Sequence, residues 1–182
     1  MGATDLVADG GFDAGVAGWR LVGRGSLSWS AGEGSIAPGS LHLEGGLAGG
    51  RTQAIAGYCL SSLPPLQDLS FSVRVKPVTG TPSFCRIALF ESERSDCRWI
   101  GLGAERRRTS FYIGWTQLPQ AQLATGAATR SVEVRLHCAT AEGTTGPLEV
   151  LFDDVSVTTT SGLIFADDFE SHDTSRWSST IP

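Results

Sequence analysis

Two adjacent carboxylates, Asp153 and Asp154, interrupt the apolar stretch LEVLFDDVSV at residues 148–157. The apolar residues predict a buried strand, and desolvating two neighbouring like charges is unfavourable unless a cation or hydrogen-bond donors lie beside them. A candidate partner lies near the start, where DGGFDAGVAGW carries Asp13 between a glycine-rich turn and Trp19. We therefore predict that the first and last strands run side by side and that a hard cation, Ca2+, connects them. The alternative is a salt bridge or a capped turn without metal.

The sequence contains no recognisable catalytic pattern. It lacks the GxSxG, HExxH and P-loop motifs, and its three histidines, His42, His137 and His172, occur in unrelated settings. Glycoside hydrolysis needs two acids flanking a groove, whereas Asp153 and Asp154 are neighbours on one predicted strand. We therefore expect a protein that is not an enzyme.

Four cysteines, none in a CxxC pair, favour two disulfide bonds in an oxidising compartment over a zinc site or four free thiols. Cys85 and Cys138 both fall on inward positions of long predicted strands. Of the three possible connectivities we therefore prefer Cys85 with Cys138 and Cys59 with Cys97. The spacing alone does not decide between them.

The composition indicates one all-β domain. The chain has 182 residues, of which 41% are hydrophobic and 18% charged, with 23 glycines and a net charge of -5. Nucleic acid is not an expected partner of such an acidic chain. No apolar run is long enough to span a membrane. The first residues have neither a basic nor an apolar leader region, and we expect the leader of a secreted protein to be missing from this chain.

Hydrophobic alternation with a period of two residues predicts the strands. Leu69, Phe71, Val73 and Val75 give the clearest half-buried strand. In all, strands are predicted at residues 5–8, 26–30, 41–43, 52–60, 69–75, 84–91, 110–115, 131–138 and 148–157, and the charged run 106–108 is predicted to be a solvated hairpin tip. About ten short strands between Gly/Pro turns predict a two-sheet antiparallel β-sandwich of jelly-roll type.

The motifs GGFDAGVAGW, SLHLEGG, LSFSVRVKP and FDDVSV resemble those of secreted bacterial carbohydrate-binding modules with a galactose-binding-like jelly roll, the group that includes xylan- and glucan-binding modules. The resemblance covers roughly residues 5–158. It implies non-catalytic binding of a polysaccharide or other glycan, and a structural Ca2+ between the first and last strands. Carried over to this chain, the ligands are the carboxylates of Asp13 and Asp153 and the carbonyl of Gly11, with further oxygens from the loop 32–35.

Sugar binding requires exposed rings that stack on the pyranose and planar polar groups that bond the hydroxyls. Alternation directs a set of such side chains away from the core, and Trp99 is predicted at the rim. The set is Arg74, Arg86, Tyr112, Arg135 and His137. Three arginines on neighbouring strands suggest an anionic glycan, because guanidinium binds carboxylate or sulfate in a bidentate manner. The alternative is a solvated face on which the arginines pair with Glu133 and Glu91.

The sandwich is predicted at residues 1–160, and residues 161–182 form a tail whose FADDFESHDTSRW echoes VADGGFDAGVAGW near the start. This repeat supports an alternative function, an extracellular structural or adhesion protein. The tail would then add as a strand to the sheet of a neighbouring copy and form a homo-oligomer.

Overall fold

The computed structural model describes residues 5–98, 101–111 and 114–159, which form eleven β-strands and contain no helix. The strands are β1 (Trp19–Leu21), β2 (Gly25–Ser30), β3 (Ser40–Ala48), β4 (Arg51–Leu60), β5 (Asp68–Thr79), β6 (Phe84–Ser92), β7 (Gly101–Arg108), β8 (Thr116–Gln117), β9 (Ala121–Ala124), β10 (Ser131–Ala139) and β11 (Glu149–Thr159). Over these ranges, no helix has the length and apolar character needed to cross a membrane.

The strands form two antiparallel sheets with a shared core. Sheet A contains β2, β3, β11 and β5 in spatial order, with β8 and β9 both paired to β5. Sheet B contains β4, β10, β6 and β7 in that order, with β1 also paired to β4. β3 passes from one sheet to the other, because its last three residues pair with β4. The predicted all-β, jelly-roll sandwich is confirmed.

Alternation on the long strands builds the core. The predicted inward residues of β5, Leu69, Phe71, Val73 and Val75, are all buried, as are Cys85, Ile87 and Leu89 on β6 and Val132, Val134, Leu136 and Cys138 on β10. Burying one such aliphatic or aromatic side chain stabilises the fold by about 1.5–3 kcal/mol. The intervening residues of β6 and β10 therefore project from the outer face of sheet B.

Both predicted disulfide bonds are present. Cys85 and Cys138 are directly opposite each other on β6 and β10, and both are buried between the sheets. Cys59 on β4 is bonded to Cys97 in the segment after β6. The backbone N–H of Cys97 also donates to Ser131 Oγ at 3.1 Å. This segment is therefore fastened to β4 and β10 at one end of sheet B.

The two ends of the described chain lie side by side, as predicted. Asp5 forms an antiparallel bridge with Thr158, and the N–H of Leu6 donates to the carbonyl of Val157 at 2.8 Å. Further along, the N–H of Val155 donates to the carbonyl of Gly10 at 2.9 Å. The predicted strand at 5–8 is replaced by this single bridge, since a turn begins directly after it.

Two local predictions are wrong, and one short strand was missed. Residues 106–108 belong to β7 and are not a hairpin tip. The predicted strand at 110–115 is shifted to the short β8, and residues 112–113 lie outside the described ranges. β9 was not predicted, because its sequence AQLA has only one large apolar residue. The tail at 161–182 also lies outside the described residues.

Candidate ligand-binding face

The outer face of sheet B carries five arginine side chains and one histidine, which together we call the arginine face. Its members are Arg20 on β1, Arg51 on β4, Arg86 on β6, Arg107 on β7, and Arg135 with His137 on β10. Strand register brings them together, because Arg107 is opposite Arg86 and Arg86 is opposite His137 on three adjacent strands. Arg135 lies two residues before His137, on the same side of β10.

Three guanidinium groups surround the ring of Phe84. The Cζ atom of Arg107 lies 4.3 Å from the ring centroid, and those of Arg51 and Arg86 each lie 5.8 Å from it. A cation over an aromatic face is attracted by the ring quadrupole. Arg86 also pairs with Glu105 at 2.6 Å. Among the described residues, no carboxylate lies within ion-pair distance of Arg51 or Arg107.

His137 lies beneath this group and is only 6% exposed. Its ring packs edge-on against Phe84, with 5.0 Å between ring centroids, and its Nδ1 accepts a hydrogen bond from Arg86 Nε at 3.1 Å. Burial, together with the charges of Arg86, Arg51, Arg135 and Arg107, lowers the pKa of His137 from 6.5 to about 3. The ring is therefore neutral near pH 7 with its proton on Nε2, and Nε2 has no hydrogen-bond partner among the described residues.

A second cluster on the same face is built around Glu133. Its carboxylate is fully buried and accepts hydrogen bonds from Arg20 at 2.5 Å and Arg135 at 2.8 Å. Gly57 lies between the two arginines in the strand register, and a Cβ there would come within 2.6 Å of Glu133 Oε1. The absence of a side chain at Gly57 therefore makes room for the buried carboxylate.

Arg135 connects the two clusters. Its guanidinium Cζ lies 4.5 Å from the centroid of the Phe90 ring, and its Nε is buried without a hydrogen-bond partner in the described structure. The described part of the arginine face thus contains two buried N–H donors, on Arg135 and His137, that have no acceptor among the described residues. Buried donors of this kind are rare in folded proteins, where they are almost always paired.

The carboxylates Asp153 and Asp154 occupy a bulge in β11. Phe152 and Val155 both face the core, which requires one extra residue between them, and Asp154 adopts a positive φ of 49°. Both carboxylates therefore point away from the core. Ser35 lies over them, since its N–H donates to Asp153 Oδ2 at 2.6 Å and its hydroxyl donates to Asp154.

Asp153 is buried, and burial raises the pKa of its carboxyl group. One oxygen accepts from Ser35 and the other from the N–H of Asp154 at 2.7 Å. A carboxylate has about four acceptor positions, so about two remain for a cation. The described residues contain no group of three His, Cys, Asp or Glu side chains around a common point. A cation here would therefore depend on carbonyl oxygens, a donor type that suits Ca2+.

No protein-family model and no curated protein sequence matches the chain. Solved structures do match it. The CBM22-1 xylan-binding domain from Paenibacillus barcinonensis Xyn10C superposes with a TM-score of 0.62 at 16% identity, over 86% of this chain and 95% of that domain. The CBM22-1–GH10 modules of Clostridium thermocellum xylanase 10B, complexed with xylohexaose, give 0.60 at 15% identity over 86% of this chain. The enzymatically active domain of tailspike protein 4 from bacteriophage CBA120 gives 0.57 at 11% over 85%.

The fold is that of a β-sandwich carbohydrate-binding module. At these identities the likeness establishes the fold alone. The chain spans 29% of the xylanase chain and 21% of the tailspike chain, so those proteins match it over one part of their length. The predicted resemblance to carbohydrate-binding modules, xylan-binding ones among them, is confirmed at this level.

The residues predicted to bind ligand are only partly brought together. Arg86, Arg135 and His137 share the arginine face. The prediction that Arg74 joins them is wrong, because Arg74 projects from β5 in sheet A, where its Nε lies 3.5 Å from Asp154. Alternation shows that a side chain leaves the core but not from which sheet it leaves. Tyr112 and Trp99 lie outside the described residues.

Three members of the arginine face, Arg20, Arg51 and Arg107, were not predicted. Arg51 starts a strand whose outward positions are otherwise small or uncharged, and Arg107 lies in an all-charged run without alternation. The expected pairing of Arg135 with Glu133 is present. Glu91 instead accepts from the N–H of Gly126 at 2.9 Å and from a threonine hydroxyl.

Proposed function

We propose that this chain is a non-catalytic carbohydrate-binding module whose glycan lies across the arginine face. The observation that carries the proposal is the concentration of planar hydrogen-bonding groups on one sheet of this fold. Guanidinium and imidazole groups bond sugar hydroxyls in fixed directions. In the same fold, a xylan-binding domain and a module complexed with β-1,4-galactotriose provide precedent for a sugar-chain ligand.

Hydrogen bonding contributes more than ring stacking on the part of this face that is described. Phe84 is buried and Phe90 is half-buried, and each ring is covered by a guanidinium group. Neither ring is free to stack on a pyranose. We keep Trp99 and Tyr112 as proposed stacking residues, because both lie in the segments that border β7 in the sequence.

The test is affinity electrophoresis of the purified protein in gels that contain one polysaccharide each, covering neutral xylan, neutral β-glucan and acidic polymers. Retardation by at least one of them supports the proposal. Migration unchanged by every polymer, for protein that melts cooperatively, overturns it.

A matched pair of variants tests the face. Arg86 and Arg74 are both partly exposed and each pairs with one carboxylate, but they lie on opposite sheets. We expect Arg86→Gln to weaken retardation and Arg74→Gln to leave it unchanged. The reverse result would move the ligand to sheet A and overturn the assignment of the face.

We further propose that a structural Ca2+ is held by Asp13, Asp153 and the carbonyl of Gly11. Two observations support this proposal. The Asp153 carboxylate is buried beside a second carboxylate, and the Asp13 carboxylate turns back toward Gly11, whose ideal Cβ would lie 3.6 Å from Asp13 Oδ2. The ion would supply positive charge and a cross-link between the N-terminal segment and β11.

We also propose an extracellular location. Two disulfide bonds close loops of 38 and 53 residues in the chain. Such bonds persist in oxidising compartments and are rare in the reducing cytosol. Reduction followed by a thermal melt tests how far the fold depends on them.

A further inference from the structure

We propose that the ligand of the arginine face is an acidic polysaccharide, and that one of its carboxylate or sulfate groups binds between Arg51, Arg107 and His137. The inference rests on the proposed function and adds the chemical class of the glycan. The residues that carry it surround Phe84, at the end of the face farthest from Glu133.

The first argument is charge. The arginine face carries five arginines and two glutamates, Glu105 and Glu133, with a neutral His137, on a protein whose net charge is -5. Glu133 is already bonded to two arginines, and Glu105 is bonded to Arg86. The guanidinium groups of Arg51 and Arg107 have no carboxylate partner among the described residues. A local excess of positive charge on an acidic protein attracts an anionic ligand.

The second argument is the pair of donors without acceptors. His137 accepts from Arg86 on Nδ1, so its proton lies on Nε2, and that N–H has no partner in the described structure. Arg135 Nε–H is likewise unpaired. A sugar hydroxyl offers one acceptor oxygen and one O–H donor. The arginines cannot accept a hydrogen bond from that O–H, because guanidinium has no acceptor atom. A carboxylate or sulfate offers acceptors only, and it therefore matches a surface made of donors.

The third argument is that Phe84 restricts the movement of the arginine side chains around it. The guanidinium Cζ atoms of Arg107 and Arg51 lie 4.3 and 5.8 Å from the centroid of the Phe84 ring, and the attraction of a cation to the ring limits their movement. Neither guanidinium group has a carboxylate partner among the described residues, so we expect their N–H groups to be available for bidentate contact. Charge-assisted, bidentate hydrogen bonds to carboxylate and sulfate are roughly twice as strong as neutral ones. A neutral xylan would leave this capacity unused.

The test measures binding of the full chain to polygalacturonate, a sulfated galactan, neutral xylan and double-stranded DNA by isothermal titration calorimetry at 50 and 300 mM salt. We expect at least one acidic polysaccharide to bind tenfold or more tightly than xylan, and its affinity to fall with salt. The polyuronate and the sulfated arm distinguish the two anionic groups.

The matched variants are Arg107→Gln and its neighbour Arg106→Gln. Arg106 lies opposite the core residue Ile87, so it leaves β7 on the other side of the sheet from Arg107. The two variants lose the same charge on the same strand. We expect Arg107→Gln, and likewise Arg51→Gln, to weaken binding of the acidic polymer at least fivefold, and Arg106→Gln to change it less than twofold. Thermal melts check that each variant is folded.

A second readout reports on the site directly. In 15N NMR spectra, we expect the Nε2 signal of His137 to move when galacturonate is added and to stay in place when galactose is added. Three results would each overturn the anionic site while leaving carbohydrate binding intact. They are binding of xylan as tight as that of every acidic polymer, binding of DNA of equal strength, and equal losses of affinity for the acidic polymer in Arg106→Gln and Arg107→Gln. No polysaccharide binding at all would overturn the proposed function itself.

Discussion

Replacing Glu133 by glutamine should destabilise the fold, and should do so more than the same change at Glu105 on the same face. Glu133 is fully buried and accepts hydrogen bonds from Arg20 and Arg135. Glutamine retains one acceptor oxygen, but its amide group would point a donor at a guanidinium donor. One charge-assisted hydrogen bond is lost and the other becomes a bond to a neutral acceptor.

The size of the effect follows from the two arginines. A hydrogen bond to a charged group contributes about 1.5–3 kcal/mol. Arg20 is 54% exposed and regains water when released, whereas the side chain of Arg135 is 29% exposed and its Nε is buried, so it regains less. Removal of the buried carboxylate also recovers part of its desolvation cost. The net loss should be about 2 kcal/mol, which for a domain of this length corresponds to a fall in Tm of about 4–8 °C.

The matched control is Glu105→Gln. It makes the same chemical change on the same face, but Glu105 is 36% exposed and bonds a single arginine, Arg86. Exposed pairs contribute about 0–1 kcal/mol, so the Tm of this variant should fall by less than about 4 °C. Calorimetric melts and urea unfolding of both variants measure the difference. A Glu133→Gln protein as stable as wild type, or a Glu105→Gln protein that loses as much, would refute the assignment of Glu133 as the buried anchor.

Three further predictions concern other parts of the fold. Burial and neighbouring arginines lower the pKa of His137 from 6.5 to about 3, so the contribution of the neutral ring to the free energy of unfolding is fully present above pH 6.5 and is lost as the pH falls toward 3, by at most about 4–5 kcal/mol. His137→Gln should therefore reduce the pH dependence of the free energy of unfolding, measured in urea, over that range. An NMR titration midpoint of His137 near 6.5 would contradict this prediction. Gly57→Ala should lower the Tm, because its Cβ would meet Glu133, while Gly32→Ala, where a Cβ meets nothing within 4 Å, should not. Chelation should lower the Tm of the wild-type protein and added Ca2+ should restore it, whereas neither treatment should change the Tm of Asp153→Asn. A wild-type Tm that responds to neither treatment would argue against the ion.

Much of the fold could be predicted from local patterns. The two-residue alternation of β5, β6 and β10 gave the inward side chains correctly, because one face of each strand is buried. The approach of the first and last segments was predicted from the need of Asp153 and Asp154 for a partner. The partner that the described structure shows is Ser35, and a link to Asp13 through a cation stays a prediction. The bulge at Asp153 and Asp154 was not predicted, because Val150, Leu151 and Phe152 are all apolar and the sequence does not show which of them faces the core.

The candidate site could be predicted only in part, because alternation contains no information about strand pairing. Arg74 and Arg86 both alternate with core residues, yet β5 and β6 belong to different sheets. Arg107 lies in a run of charged residues in which neither side can be distinguished as apolar. Its position next to Arg86 is set by the β6–β7 register, a contact between segments that no local pattern reports.

The burial of His137 illustrates how a site arises from an outward position. Its side chain leaves the core as alternation predicts, but Phe84 and three surrounding arginines cover it, so it becomes a buried group on an outer face. Its Nδ1 accepts the Arg86 Nε–H, so an apolar residue in the same space would leave that donor unpaired. This hydrogen bond accounts for the imidazole but not for its Nε2–H, which has no partner among the described residues and costs free energy while it is unpaired. A bound acceptor would satisfy this N–H, and the same reasoning applies to the Nε–H of Arg135, which also lacks a partner in the described structure.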